Sequence, residues 1–229
     1  MEAIRLTNTA PDNRAPAPAL TRRVYAFDLL NAGAPGYDNA CRYIQRRFQR
    51  QYEAHITHFM PIIAMMHRDG VIKAAAGLRQ ATSDQPLFVE HYLNAPVERE
   101  IAQRLGAPAH DRHRIAEIGN LAATGPGAIP GLFTYYAALL EAMNISWLAC
   151  NATPQVQAII QHLGLPFQTL VPAERDRVPD SITWGRYYDN PSHVMAAPTA
   201  GIVTALETHY GGALAHARKA MSGSSNYDQ

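Results

Sequence analysis

Cysteine is scarce in this chain of 229 residues, which contains only Cys41 and Cys150. The two lie far apart in the sequence and fit neither a metal-binding nor a redox spacing. Cys150 ends an apolar segment, which is typical of a buried thiol in a reducing compartment. The sequence therefore gives no sign of a disulfide scaffold.

Long apolar runs and an excess of one charge are also missing. No stretch of about eighteen apolar residues occurs, so no transmembrane helix is predicted. The 20 basic and 19 acidic side chains leave a net charge of +1, which gives no overall field for nucleic acid. Residues 1–21 contain Pro11, Pro16 and Pro18 but no apolar core of a secretion signal. We therefore expect a cytoplasmic protein.

Several common catalytic signatures are absent as well. The ten histidines form no zinc-site spacing. No G-x-S-x-G elbow, P-loop or dinucleotide fingerprint occurs. The sequence therefore predicts no metal and no bound cofactor.

A central stretch of alternating elements is present instead. Residues 115–123 and 145–150 read as apolar strands, separated by a turn at 124–127 and a helix at 133–143. A helix at 154–163 follows. Two strands joined by a helix form a crossover with parallel pairing. A ligand of such a unit usually lies at the carboxyl end of the first strand, against the helix N-terminus.

Further elements surround this unit. Asp69-Gly70 predicts a tight turn between strands at 60–66 and 71–78. Residues 86–93 are aromatic-rich and of uncertain type. The other predicted elements are a strand at 23–30, a helix at 39–53 with Asp38 as its N-cap, a helix at 96–105, a strand at 167–171 and a helix at 199–221. We predict an α/β fold with a mixed sheet flanked by helices on both faces. Residues 21–221 form one predicted domain, between a flexible leader at 1–20 and a flexible tail at 222–229.

The helix predicted at 39–53 carries a basic stripe. Arg42, Arg46 and Arg50 recur at every fourth position, and Arg47 widens the stripe. Two interpretations stay open: a solvated helix face, or a docking face for an acidic partner.

The order of elements resembles the fold of the GCN5-related N-acetyltransferases. The segment 116–122 is also similar to a strand of acyl-homoserine-lactone synthases, which share that fold and accept acyl groups from acyl carrier protein. A closer resemblance is to the thermostable hemolysin family. It is carried by Gly77-Leu78-Arg79, 87–93, 96–98, 117–122, Trp184-Gly185-Arg186-Tyr187-Tyr188 and Val194-Met195-Ala196.

The resemblance implies that Glu117 and Asn120 are catalytic, with Glu117 as a semi-buried base. A structural carboxylate within the sheet is the competing interpretation of Glu117. Residues three apart on a strand face opposite sides. Glu117 and Asn120 therefore share one cavity only if a bulge, for example at Gly119, intervenes.

The acyl donor is expected beside the central strands. The residues implied in its binding are Leu121, Ala122, Ala123, Gly125, Gly127, Ala128, Ile129 and Asn151. The phosphate turn lacks the basic or amide residue with which the acetyltransferase motif begins, and Pro130 has no N–H to donate. The cleft between the strands ending at Ala123 and Cys150 is therefore the better place to look for substrate.

The acceptor is expected to contact a further group of side chains, which comprises Arg79, Glu90, Tyr92, Trp184, Tyr187 and Tyr188. Arg79 and Glu90 could form a pair, since buried charges require partners. Such a pair would either position a substrate carboxylate or brace the sheet. The aromatic residues suit either a core cluster or the wall of an acyl pocket.

These features predict an N-acyltransferase. It would move an acyl group from acyl carrier protein or acyl-CoA to a small amine or amino acid by direct attack on the thioester. Acyl-CoA or acyl-phosphopantetheine would be its co-substrate, without a further cofactor. Two alternatives stay open: a membrane-active toxin using helices 39–53 and 199–221, and a relative that binds an acyl ligand without catalysis.

Overall fold

A computed structural model describes residues 25–107 and 111–224. The predicted leader at 1–20 and residues 225–229 of the predicted tail lie outside the described residues. The strands are β1 Ala26–Asn31, β2 Ile62–Arg68, β3 Val71–Gln80, β4 Ile115–Ala123, β5 Trp147–Ala152, β6 Gln168–Pro172 and β7 His193–Pro198. The helices are α1 Tyr37–Tyr52, α2 Val97–Leu105, α3 Ile129–Ala142, α4 Pro154–His162 and α5 Thr199–Ser224.

The strands form one seven-stranded sheet in the order β1-β2-β3-β4-β5-β7-β6. Only β4 and β5 pair in parallel, through the crossover that contains α3, whereas the other neighbours are antiparallel. The predicted mixed sheet and its parallel unit are thereby confirmed. The β2–β3 hairpin is also as predicted, because Asp69 (φ 53°) and Gly70 (φ 71°) adopt the two left-handed conformations of a type I′ turn.

Helices cover both faces of the sheet. The apolar sides of α3, α4 and α5 share one core cluster with Leu78, Ile118 and Leu148. On the opposite face, α1 packs over Ile63, and α2 lies in a separate cluster with Ala149. The apolar faces of the two predicted membrane-active helices are thus buried within the protein, that of α1 against the sheet and that of α5 chiefly against α3. Within 25–107 and 111–224, no helix is long and apolar enough to cross a membrane.

Several boundaries differ from those predicted. Helix α1 begins at Tyr37 after Gly36 (φ 92°), and Asp38 lies in its first turn rather than acting as the N-cap. Helix α3 begins at Ile129, ahead of the predicted 133, because Pro130 suits the first turn of a helix. The ambiguous segment contains a 3₁₀ turn at Phe88–Tyr92.

Two more boundaries change at the parallel unit and at the C-terminal helix. Strand β5 begins at Trp147 because the N–H of Ile145 still bonds the carbonyl of Leu140 at the end of α3. Helix α5 continues through Gly211 and Gly212 but is kinked at Tyr210 (φ −133°).

Candidate active site

The central parallel strands separate shortly after they meet. Strands β4 and β5 pair only from Ile115–Trp147 to Glu117–Ala149. Beyond Glu117, β4 stays paired with β3, and β5 stays paired with β7. A cavity of about 510 Å³ opens at this separation. Its wall includes residues 117–121 of β4 and 150–151 of β5.

A β-bulge in β4 shapes this wall. Asn120 and Leu121 together face the single residue Ala76 of β3. Asn120 adopts a left-handed conformation (φ 52°), which asparagine tolerates better than most residues. As a result, Ile118 packs on the α3 face, whereas Ala122 packs on the α1 face. The bulge lies one residue beyond the predicted Gly119, and it lets Glu117 and Asn120 line the same cavity.

The Asn120 side chain forms hydrogen bonds with the backbone of a neighbouring segment. Its Oδ1 accepts a hydrogen bond from the Met60 N–H at 3.0 Å, and its Nδ2 donates to the His58 carbonyl at 3.4 Å. These bonds hold residues 58–60 across the cavity. The geometry favours a positioning role for Asn120, and its catalytic role stays a prediction.

Two glycines make room for the Met60 side chain. Gly77 and Gly119 face each other across β3 and β4. An added Cβ would lie 2.4 Å from Met60 Cβ at Gly77 and 2.6 Å from Met60 Cε at Gly119. Glycine is therefore required at Gly77, where the added atom would meet Met60 Cβ, whereas at Gly119 only the flexible end of the Met60 side chain would have to move.

Glu117 lies at the point of separation and is 2% exposed. Its Oε2 accepts a hydrogen bond from the Val89 N–H at 3.3 Å. Burial raises the pKa of Glu117 to about 8, although the N–H groups of Val89 and Phe88 and the charge of Arg79 oppose the rise. A carboxyl group with such a pKa can hold or release a proton near neutral pH.

The expected pair between Glu90 and Arg79 does not form. Glu90 instead accepts two hydrogen bonds from Arg112, both at 2.7 Å, and two more from the N–H groups of Leu87 and Val97. Burial raises the pKa of Glu90, but the Arg112 hydrogen bond and those N–H groups outweigh burial and leave the pKa lowered. Glu90 therefore braces the segment between the 3₁₀ turn and α2.

Arg79 is left facing the cavity. It is the direct cross-strand partner of Glu117, so both side chains lie on one face of the sheet. Its Nη1 donates to the Pro86 carbonyl at 3.4 Å. Its buried Nε has no hydrogen-bond partner among the described residues.

Aromatic rings close the cavity on the α1 side. Trp184 and Tyr187 lie with ring centroids 5.1 Å apart, and Phe88 lies 5.4 Å from Trp184. Gly185 (φ 52°) lets the Trp184 segment approach the end of α1, because a Cβ there would lie 2.4 Å from the Tyr52 carbonyl oxygen. Trp184 and Tyr187 therefore serve the cavity wall and a core cluster together.

Tyr92 and Tyr188, predicted to bind substrate, lie behind this wall. Their hydroxyl groups are 2.5 Å apart, and Asn151 Nδ2 donates to the Tyr92 hydroxyl at 3.2 Å. Asn151 borders the cavity, and its buried Oδ1 has no partner among the described residues. The Tyr92 hydroxyl, held by that of Tyr188, thus fixes the orientation of the Asn151 side chain.

The cavity differs in polarity between its two ends. On the α3 side its wall is apolar and is formed by Ile118, Leu121, Phe133, Cys150 and Val156. On the α1 side the polar side chains of Arg79, Gln85 and His91 lie among the aromatic rings. Burial raises the pKa of the Cys150 thiol, so this group stays protonated and is a poor nucleophile.

Comparison with known proteins places the chain in a family. Residues 30–202 match the thermostable hemolysin family. The chain belongs to the thermostable hemolysin family. A comparison with curated proteins finds no match.

Solved structures show which fold this member of the thermostable hemolysin family has. The acyl-homoserine-lactone synthase LasI superposes with a TM-score of 0.56 at 11% identity, over 82% of this chain and 96% of LasI. FeeM, an N-acyl amino acid synthase from uncultured soil microbes, gives 0.55 at 14%, over 80% and 94%. The CoA-dependent acyl-homoserine-lactone synthase BjaI gives 0.55 at 11%, over 86% and 100%. The acetyltransferase-like fold is thereby confirmed.

The turn before α3 lies apart from the cavity. Ala122, Ala123, Gly125, Gly127, Ala128 and Ile129, which were predicted to bind the donor, are not part of the cavity wall, whereas Leu121 and Asn151 are. The Ala128 N–H donates to the Gly125 carbonyl at 3.2 Å, so one of the predicted phosphate donors is used within the turn.

The predicted basic stripe lies on α1. Arg42, Arg46 and Arg50 are exposed. Arg47 is half-buried, and its buried Nε has no partner among the described residues. Its charge acts on the hydroxyl of Tyr43, which donates to the Lys73 carbonyl at 3.2 Å. The same carbonyl accepts from the Thr124 hydroxyl at the start of the turn, at 3.0 Å. The docking role of the stripe stays a prediction.

Sequence reasoning missed several contributors to the site. Met60 and Phe48 line the cavity, and Arg112 forms a salt bridge with Glu90. No local pattern marks these residues, because each reaches its partner only through the fold. The glycines of β3 and β4 were a usable signal, since glycine inside a strand often marks a close approach.

Proposed function

We propose that this protein is an N-acyltransferase that moves an acyl group from a thioester donor to a small amine. The observation that carries the proposal is the buried Glu117, placed where β4 and β5 separate and the cavity opens. A thioester needs a deprotonated amine, an aligned carbonyl and little else from the enzyme. The cavity can align the two reactants, and Glu117 can take the proton.

The reaction proceeds by direct attack. The amine nitrogen attacks the thioester carbonyl carbon, Glu117 removes a proton from that nitrogen, and the carbon–sulfur bond breaks to release the thiol. An acyl-enzyme on Cys150 is disfavoured, because burial keeps its thiol protonated. The apolar end of the cavity near Leu121 and Phe133 receives the acyl chain, and the polar end near Arg79 receives the amine.

The names of the similar structures support this chemistry. LasI is an acyl-homoserine-lactone synthase, FeeM an N-acyl amino acid synthase, and BjaI was crystallised with SAM and isopentyl-CoA. All three share this fold, and each name describes formation of an N-acyl product or binding of an acyl thioester.

The donor is either acyl carrier protein or acyl-CoA. Arg42, Arg46 and Arg50 form an exposed basic stripe that suits an acidic carrier. The charge of half-buried Arg47 acts on Tyr43, whose hydroxyl shares the Lys73 carbonyl with Thr124 at the start of the turn where the phosphate of phosphopantetheine would lie. We therefore favour acyl carrier protein as donor, with acyl-CoA as the competing one.

Product analysis tests the proposal. The protein is incubated with octanoyl-carrier protein or octanoyl-CoA and a panel of amines, and N-acyl products are identified by mass spectrometry. We expect a product with the wild type and a loss of at least about a hundredfold in kcat with Glu117→Gln. Glu141→Gln, at a surface ion pair with Arg218, is the matched control and keeps activity. Absence of any product, or full activity of Glu117→Gln, would contradict the proposal.

A further inference from the structure

Arg79 is a cation in the cavity wall that forms no salt bridge with a described residue. Its expected carboxylate partner, Glu90, is bound to Arg112 instead. Its Nε is buried without a partner among the described residues, and its Nη1 has one long contact, at 3.4 Å, to the Pro86 carbonyl. A buried donor left unsatisfied costs stability, and such groups persist where a ligand completes them.

The carboxylates nearby do not fill this role. Glu117 faces Arg79 across β3 and β4, but its Oε2 is directed to the Val89 N–H. Asp180, the other carboxylate in the cavity wall, is exposed. Neither forms an ion pair with Arg79 among the described side chains. The guanidinium lies in the cavity wall without a carboxylate partner among the described side chains, so it is available to a carboxylate that enters the cavity.

We infer that the acceptor amine carries a carboxylate, which Arg79 binds, so that the substrates are amino acids. This inference rests on the proposed function and narrows it. A guanidinium offers parallel N–H groups that match the two oxygens of a carboxylate, which makes this pairing specific as well as strong.

The spacing of Arg79 and Glu117 supports an α-amino acid in particular. The charge of Arg79 acts on the Glu117 carboxyl group, and the two residues are cross-strand partners on the same face of the sheet. In an α-amino acid the carboxylate and the amine are joined through a single carbon. A carboxylate held by Arg79 therefore leaves the amine beside Glu117, where deprotonation is required.

Matched acceptors test the inference. We compare L-leucine with L-leucinamide, and L-tyrosine with L-tyrosinamide, using octanoyl-carrier protein and octanoyl-CoA as donors. The amides keep the side chain and the amine and lose only the negative charge. Taurine, in which two carbons separate a sulfonate from the amine, tests whether an anion at a longer spacing suffices. We expect kcat/KM to be at least about tenfold higher for each amino acid than for its amide, and taurine to behave like the amides.

Variants of Arg79 test whether this residue causes the preference for amino acids over their amides. Arg79→Gln is expected to lower kcat/KM for L-leucine at least about tenfold through KM, and to leave the amide within about twofold. Arg79→Lys keeps the charge without the planar fork, so it should fall between these values. Arg68→Gln removes an arginine from the far end of the β2–β3 hairpin and keeps the wild-type preference. Thermal unfolding confirms that each variant is folded.

Two results overturn the inference while the proposed function stands. One is equal use of acid and amide by the wild type, and the other is an unchanged preference in Arg79→Gln. A binding experiment tests the inference when no acyl transfer is detected. Saturation-transfer NMR measures the binding of L-leucine and of L-leucinamide in the absence of donor. Selective binding of the acid that Arg79→Gln abolishes supports the carboxylate site even if no transfer occurs. Equal binding of acid and amide by the wild type overturns it.

Discussion

Asn120 holds the backbone of Met60: its side-chain oxygen accepts the Met60 N–H at 3.0 Å, from the bulge of β4. The Met60 side chain in turn packs on Gly77 and Gly119, the glycine pair of β3 and β4. The bulge, the glycine pair and residues 58–60 thus form one interlocked wall of the cavity. A substitution in any one of these three parts should therefore alter the packing of the other two.

Asn120→Ala should destabilise the protein by about 1–3 kcal/mol, because it removes two hydrogen bonds and places alanine at a positive φ. Asn144→Ala is the matched control: Asn144 also has a positive φ (56°), but its side chain bonds Arg114 at an exposed site. The free energy of unfolding is measured in urea. Equal losses for the two variants would show that the bonds to residues 58–60 contribute nothing.

The glycine pair allows a rescue experiment. In Gly119→Ala the new Cβ would meet Met60 Cε at 2.6 Å, so Met60→Ala should recover much of the lost stability. In Gly77→Ala the new Cβ would lie 2.4 Å from Met60 Cβ, which Met60→Ala retains. We therefore expect rescue at Gly119 and none at Gly77, measured as coupling energies in two double-mutant cycles. Rescue at both positions would contradict the assigned contacts.

The predictions from sequence succeeded where local patterns determine the structure. The Asp69-Gly70 turn and strand β4 were predicted at their observed places, because turn chemistry and apolar runs are local. The partner of Glu90 was not predictable: Glu90 pairs with Arg112, 22 residues away, and not with the expected Arg79. Only the folded chain shows which guanidinium lies within reach.

The site shows the same division. A bulge was expected near Gly119 from the facing of Glu117 and Asn120, and it lies one residue further on. The role of the Asn120 amide in holding residues 58–60 had no sequence signal, because 60 residues separate it from Met60. Strand periodicity locates a cavity wall, whereas the partner that each polar group selects depends on tertiary packing.

The pair of Glu90 and Arg112 should contribute substantially to stability. Their side chains are 11% and 18% exposed and joined at 2.7 Å. Arg112→Met leaves a largely buried carboxylate with the N–H groups of Leu87 and Val97 but without its cation, and should cost about 3 kcal/mol. Arg218→Met, which breaks a surface pair with Glu141, is the control and should cost about 1 kcal/mol or less. Chemical denaturation measures both values. Similar losses in the two variants would contradict this ranking.

The basic stripe of α1 predicts donor-specific kinetics. Reversing Arg46 and Arg50 to Glu should raise KM for octanoyl-carrier protein at least about tenfold, because an acidic carrier is repelled. KM for octanoyl-CoA should change less than about threefold. Reversal of the exposed Arg99 and Lys219 gives the same net charge elsewhere and should affect neither donor. A smaller effect of the Arg46 and Arg50 reversal at high salt would confirm its electrostatic origin.

Glu117 should make both stability and activity depend on pH, in opposite directions. Burial raises its pKa from 4.5 to about 8, so the folded state binds this proton more tightly than the unfolded state. Its contribution to stability is complete below about pH 4.5 and is lost as the pH rises towards 8, with a slope of up to about 1.4 kcal/mol per pH unit. Catalysis needs the ionised form, so the rate should rise over the upper part of the same range.

The difference in unfolding free energy between wild type and Glu117→Gln, measured in urea from pH 5 to 8.5, isolates the contribution of Glu117. Parallel curves for the two proteins would show that Glu117 is ionised at every pH in that range, and the carboxylate would then require a partner other than those described.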